Sequence, residues 1–85
     1  MLYLKHYSKV FTSNYLSCKY FVDNGDYDAA EEYCLTAINM KPDYVPARIN
    51  LGIAYFHQGM LDKAQFQFRH AITGSGSNIY NKAVV

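Results

Sequence analysis

Three sets of residues in this 85-residue chain are of types that do chemistry. Asp26, Asp28, Glu31 and Glu32 put four carboxylates into one short stretch, the raw material for proton transfer. They precede a run with helical spacing. Carboxylates in the first turn of a helix stabilise its positive end, and this is the role they are read in here. His6, His57 and His70 are imidazoles far apart in sequence, and no carboxylate or thiol falls beside them to complete the three or four ligands a metal needs. They are read as solvated or rim histidines. Cys18 and Cys34 lack the close pairing of a metal motif. They are read as two buried free thiols in a reducing compartment, with a disulfide between them as the alternative. No nucleophile, base and orienting group recur together, and no glycine-rich phosphate loop follows a strand. The chain is therefore read as a non-enzyme, with no cofactor and no metal.

Composition narrows the partners. The formal net charge is +1, with no basic run and no acidic tail, so nothing attracts a phosphate backbone and no nucleic acid is expected. The N-terminus, MLYLKHYSKV, lacks the long apolar core of a signal peptide, and no apolar run approaches the roughly 20 residues of a membrane span. A cytoplasmic protein without membrane insertion is the expectation. Half the residues are apolar and aromatics are plentiful, but a chain this short buries a smaller fraction of its surface than a large one. A partner or a second copy would add to its stability.

The elements that must carry these residues emerge when the chain is laid on itself. With one copy starting at Phe11 and the next at Val45, thirty-four residues on, Gly25 falls on Gly59, Asp28 on Asp62, Ala30 on Ala64, Ala37 on Ala71 and Ile38 on Ile72. The matched positions are mostly small, where a tightly packed helical pair tolerates least. Each copy reads as helix, turn, helix. Phe11, Tyr15, Cys18 and Val22 follow helical spacing, Asn24-Gly25 ends that helix, and Asp26 is placed to cap a second one running to Met40. Lys41-Pro42 stops it. In the second copy Asp43 is placed as the cap, Pro46 sits in the first turn, the helix reaches Gly59, and another runs from Leu61 to Thr73. The expected architecture is all-α, two tandem antiparallel helical hairpins in a short α-solenoid. Its parts are an N-terminal extension or cap (1–10), repeat 1 (11–44), repeat 2 (45–78), and the start of a capping helix or a frayed tail (79–85).

The stretch NLGIAYFHQGMLDKAQFQFRHAI resembles the tetratricopeptide repeat pattern. Leu51, Gly52, Ala54, Tyr55, Gly59, Ala64, Phe68 and Ala71 occupy its signature offsets. The first copy fits more loosely, through Tyr20, Gly25, Tyr27, Ala30, Ala37 and Pro42, with Cys18 where a small residue is usual and Cys34 where an aromatic is usual. Small residues at Cys18, Ala30, Ala37, Gly52, Ala64 and Ala71 are expected to let helices approach, while Tyr20, Tyr27, Tyr55, Leu61 and Phe68 fill the gaps. Pentatricopeptide repeats, close in period, would need a basic groove that this chain does not supply.

The resemblance implies a protein-binding function, because in that family the first helix of each hairpin lines a concave side that usually takes a peptide or helix. Carried over by position, the groove residues are Tyr15, Lys19 and Val22 from the first copy and Ile49, Asn50, Ile53, Phe56 and His57 from the second. Ile49, Ile53 and Phe56 form an apolar stripe at helical spacing. It would hold an amphipathic segment of a partner protein, or be covered by Tyr80, Val84 and Val85 of the same chain, or by a second copy in a homodimer. The carboxylate clamp of some family members matches only at Asn50. Two functions follow as expectations. One is an adaptor or small chaperone gripping a peptide or helix. The other is an assembly module that self-associates or stacks on another repeat protein through its exposed ends.

Overall fold

A computed structural model describes residues 2–74, with side chains from 6 to 73. Four helices follow in order: α1 (Leu2–Asp23), α2 (Tyr27–Met40), α3 (Val45–His57) and α4 (Leu61–Gly74). No strand occurs among the described residues. Residues 2–10 are continuous with α1, which lengthens it well beyond α3, its counterpart one repeat later. The Tyr7 hydroxyl donates to the Met40 carbonyl and ties this added helix to the end of α2. Residues 79–85, and with them Tyr80, Val84 and Val85, lie outside the described residues.

The chain turns where its glycines allow. Gly25 and Gly59 have φ of 79° and 81°, a left-handed conformation that only glycine adopts at little cost. At the first turn Gly25 N–H donates to the Val22 carbonyl and Asp26 N–H to that of Phe21; at the second Gly59 N–H donates to Phe56 and Met60 N–H to Tyr55. Both turns are thus the same double-bonded helix end, which satisfies carbonyls the helix leaves open. Asp26 caps α2, accepting from Ala29 N–H at 3.3 Å. Asp43 does not cap α3: Tyr44 holds that position without a side-chain bond, and Pro46 in the first turn has no N–H to satisfy.

Helix α1 packs on α2, α3 on α4, and α2 carries the hairpins together by packing on α3. The contacts are close because small residues stand at the crossings. Ala30, Ala37, Ala47 and Ala54 are wholly buried, and Ala64 and Ala71 nearly so. Phe11, Cys18, Cys34, Ala37, Ile38, Ala47, Leu51, Tyr55 and Ala64 form the main core. Val22, Ala30 and Ala54 form a second one near the first turn, flanked by Phe21, Tyr27 and Ile53. Two of the expected gap-fillers do not fill gaps: Tyr20 and Leu61 are exposed. They stand at the two ends of the stack, where no further helix among the described residues covers them.

The cysteines also differ from their sequence reading. Cys18 and Cys34 are joined by a disulfide, wholly buried, with Cα atoms 4.8 Å apart. The helices bring them together because both lie on the facing sides of α1 and α2. Free thiols therefore no longer point to a reducing compartment, since disulfides persist where conditions oxidise. One repeat later the same two positions hold Gly52 and Phe68. There the Phe68 ring lies so close that a Cβ on residue 52 would stand 2.5 Å from it. Two hairpins close at the same point, one by a covalent bond and one by a ring seated on a bare backbone.

Candidate functional site

The two hairpins do not meet evenly. Helix α1 also touches α3, whereas α2 and α4 make no comparable contact. The first helices of the two hairpins therefore converge, and the second helices splay outward. Along this inner side Tyr15, Lys19, Asn50, Ile53 and His57 are partly or fully open to solvent.

Each of these side chains is held in place. The Tyr15 ring meets Tyr44 edge to face, with centroids 5.1 Å apart, and Tyr44 meets Phe11 in the same way at 5.0 Å. Partial burial, and then the neighbouring Tyr44, push the Tyr15 hydroxyl above its ordinary pKa of 10.0, although a hydrogen bond with Asn50 opposes the shift. Asn50 also donates to the Pro46 carbonyl one turn back, at 3.0 Å. Lys19 pairs with Asp23 on the same helix at 2.9 Å. That hydrogen bond and charge raise the Lys19 pKa, and the pair stays fully in solvent, where screening leaves it little stabilising effect. His57 stacks on Tyr27, centroids 4.4 Å apart. It is a packing group on the rim rather than a free imidazole.

The eight residues expected to form one groove are divided among three places. Val22 is buried in the second core, and Ile53 packs against that core, partly buried. Ile49 and Phe56 turn away from the inner side toward α4. Ile49 lines a cleft with Val45, Phe68, Ala71 and Ile72. Phe56 lines a second one with Leu61, Ala64, Gln65 and Phe68, flanked by Asp62 and Arg69. The helical spacing that groups Ile49, Ile53 and Phe56 covers an arc wide enough to straddle two faces, so α4 assigns its outer members elsewhere. A cleft of about 840 Å³ lies at the opposite end of the stack against α1 and α2, among Ser13, Leu16, Ser17, Tyr20 and Tyr33. Sequence reasoning did not single out this cleft. The 34-residue register could have found it, because Ser13 and Ser17 stand where the buried Ala47 and Leu51 stand in the next copy.

Polar contacts between helices are few and specific. Arg48 donates to the Pro42 carbonyl and to Gln67 Oε1, both at 3.0 Å, so one side chain ties the connecting loop, α3 and α4. Gln67 is the buried polar residue that this bond satisfies. Gln58 donates to Glu31 Oε1 at 3.1 Å across the two hairpins. Among the described residues no three His, Cys, Asp or Glu side chains gather as metal ligands, and no helix is long and apolar enough to cross a membrane.

A family model described as tetratricopeptide repeat matches residues 21–72, more than half of the chain. No curated protein and no solved structure matches.

Proposed function

The chain belongs to the tetratricopeptide repeat family, whose domains generally mediate protein–protein interactions, and we propose that it works as an adaptor or small chaperone holding a peptide or amphipathic helix of a partner protein along the inner side of α1 and α3. The observation that carries this is the convergence of α1 on α3 while α2 and α4 diverge. On this reading Tyr15, Lys19, Asn50, Ile53 and His57 share one inner surface. The surface mixes a phenol, an ammonium, an amide and an aliphatic group. It suits a segment with polar backbone groups and a small apolar face better than a metal ion or a phosphate. The family is generally a non-catalytic scaffold, and no reaction is assigned to this chain.

The test uses a photo-crosslinking residue at Tyr15 or Asn50 in the native cell, with the same group at Glu32 on the outer face of α2 as control. A defined protein should crosslink from the inner positions only. Lys19→Ala with Asn50→Ala should reduce its capture at least tenfold while the helical circular dichroism stays unchanged. Equal capture by the variant and the parent would refute the reading. Ile53 is unsuited to this test, because it packs against Val22, Ala30 and Ala54 and its loss would disturb the fold.

A second reading is an assembly module that stacks on another protein through its open ends. It is favoured by a separate observation, the exposed apolar side chains gathered at the α3–α4 end: Ile49, Phe56 and Leu61.

A further inference from the structure

The two hairpins are closed by different chemistry, and the difference falls on the inner side. In the first, Cys18 and Cys34 are both 0% exposed, and their bond crosses from α1 to α2. In the second, the Phe68 ring on Gly52 fills the same register without sulfur. Cys18 lies one turn from Tyr15 and next to Lys19, the two residues that α1 offers to the inner side. Asn50, Ile53 and His57 come from α3, whose hairpin contains no cysteine. One half of the inner surface therefore hangs on a bond that a reductant can break, and the other half does not.

We infer that the Cys18–Cys34 bond is a redox gate on the inner surface: the bonded form grips the partner segment, and reduction by a dithiol draws Tyr15 and Lys19 away from α3 and releases it. The inference rests on the inner-side reading above and adds its regulation. Two thiols cannot come closer than van der Waals contact, about 3.5–4.0 Å for heavy atoms. The crossing holds the Cα atoms 4.8 Å apart, near the short end of the range that bonded pairs occupy. Both residues belong to the close-packed main core, so the thiols separate by the helices parting rather than by a side chain entering empty space. Helix α2 is held by α1 on one side and by α3 on the other. Helix α1 lies at the end of the stack with Leu16 and Tyr20 exposed, and it is the element that yields. Its ends stay tied, by the Tyr7 hydroxyl on the Met40 carbonyl and by the turn at Gly25, so its middle bows outward. That middle carries Tyr15, whose ring meets Tyr44 at the start of α3 with centroids 5.1 Å apart.

The exchange balances within the two reactants. A thiolate of the dithiol attacks one cysteine sulfur, and the other cysteine leaves as a thiolate and takes up a proton. The second thiolate of the reductant then attacks its own sulfur in the mixed disulfide, and the remaining cysteine leaves and is protonated. The cysteines gain two electrons and two protons, and the reductant becomes a disulfide. With both sulfurs wholly buried, the first attack waits for α1 to lift locally. A partner lying across α1 and α3 holds α1 down. By linkage it therefore makes the bond harder to reduce by the same factor by which reduction weakens the partner's binding.

The first arm of the test needs no partner. Nuclear Overhauser contacts between the Tyr15 and Tyr44 rings, and between Gly52 and the Phe68 ring, are followed by NMR at low temperature before and after excess dithiothreitol. Both are expected in the bonded form, and only the Gly52–Phe68 contact after reduction. Cys18→Gly with Cys34→Phe gives the first hairpin the closure of the second. This variant should keep both contacts and ignore the reductant, with its circular dichroism verifying the fold; the bonded and reduced parent decide the matter even where the variant does not fold. The second arm uses the protein that crosslinks from Tyr15 or Asn50. Reduction should weaken its affinity for the parent chain at least tenfold and leave its affinity for Cys18→Gly/Cys34→Phe unchanged. The gate is overturned by a Tyr15–Tyr44 contact that survives reduction, or by equal affinity of the bonded and reduced chains. Loss of both ring contacts together overturns it as well, because the bond would then brace the whole fold. These three results leave the inner-side reading standing, whereas capture of no protein by either form overturns the reading and the gate together.

Discussion

Reduction of the Cys18–Cys34 bond should loosen the first hairpin and leave the second alone. The bond joins residues 16 apart in sequence. Closing a loop of that length in the unfolded chain accounts for about 3 kcal/mol of stability in the chain-entropy description. For a domain of this size each kcal/mol moves the melting temperature by about 4–8 °C, so reduction should lower it by roughly 12–25 °C. The loss should be local, because the second hairpin is closed at the same register by Phe68 over Gly52 and contains no sulfur bond. Circular dichroism melts with and without a phosphine reductant measure the shift. Hydrogen exchange should show protection lost first across α1 and α2. The Cys18→Ala/Cys34→Ala variant should melt at or below the reduced parent and ignore the reductant. A parent melt that reductant does not move would refute the reasoning, as would two thiols alkylated on unfolding without reductant.

Two further outcomes follow from the packing. Gly52→Ala should destabilise by about 1–3 kcal/mol, since the Phe68 ring must shift to admit the new methyl, but in a Phe68→Ala background the same change should be neutral or stabilising through helix propensity. Urea denaturation of the four variants reads that reversal of sign. Phe68→Ala alone should cost about 3 kcal/mol, at the low end for a buried ring, because Phe68 keeps part of its surface exposed. Stability should also fall in alkali. Burial, and then the nearby Glu31 charge, raise the Tyr55 hydroxyl above its ordinary value of 10.0, and burial does the same for Tyr15. The neutral phenols' contribution is therefore complete below about pH 10 and is lost as pH rises from there through the folded values. Denaturation midpoints between pH 8 and 11 would show it, and Tyr55→Phe should flatten part of the decline.

The faces on which the proposed groove residues lie were only partly legible in sequence. Tyr15, Lys19 and Asn50 could be placed on the inner side from their positions in the repeat, because the side a first-helix residue faces follows from helical spacing once the hairpin is known. Ile49 and Phe56 could not. A turn of helix spreads neighbours over a wide arc, and only the position of α4 shows which part of the arc it claims. The cysteines were missed for a related reason. Composition cannot tell two buried thiols from a bond, because the difference lies in whether two helices cross at Cα atoms 4.8 Å apart.

By itself the sequence determined the repeat, its register, both glycine turns and the small residues at the crossings. Each of these is a local matter of backbone conformation or side-chain size. Tertiary structure decided which exposed residues lie at an end and which on an inner side, and it closed one hairpin with sulfur and the other with a ring. Those outcomes depend on distances between helices, and a helix pair settles its spacing only when both surfaces meet.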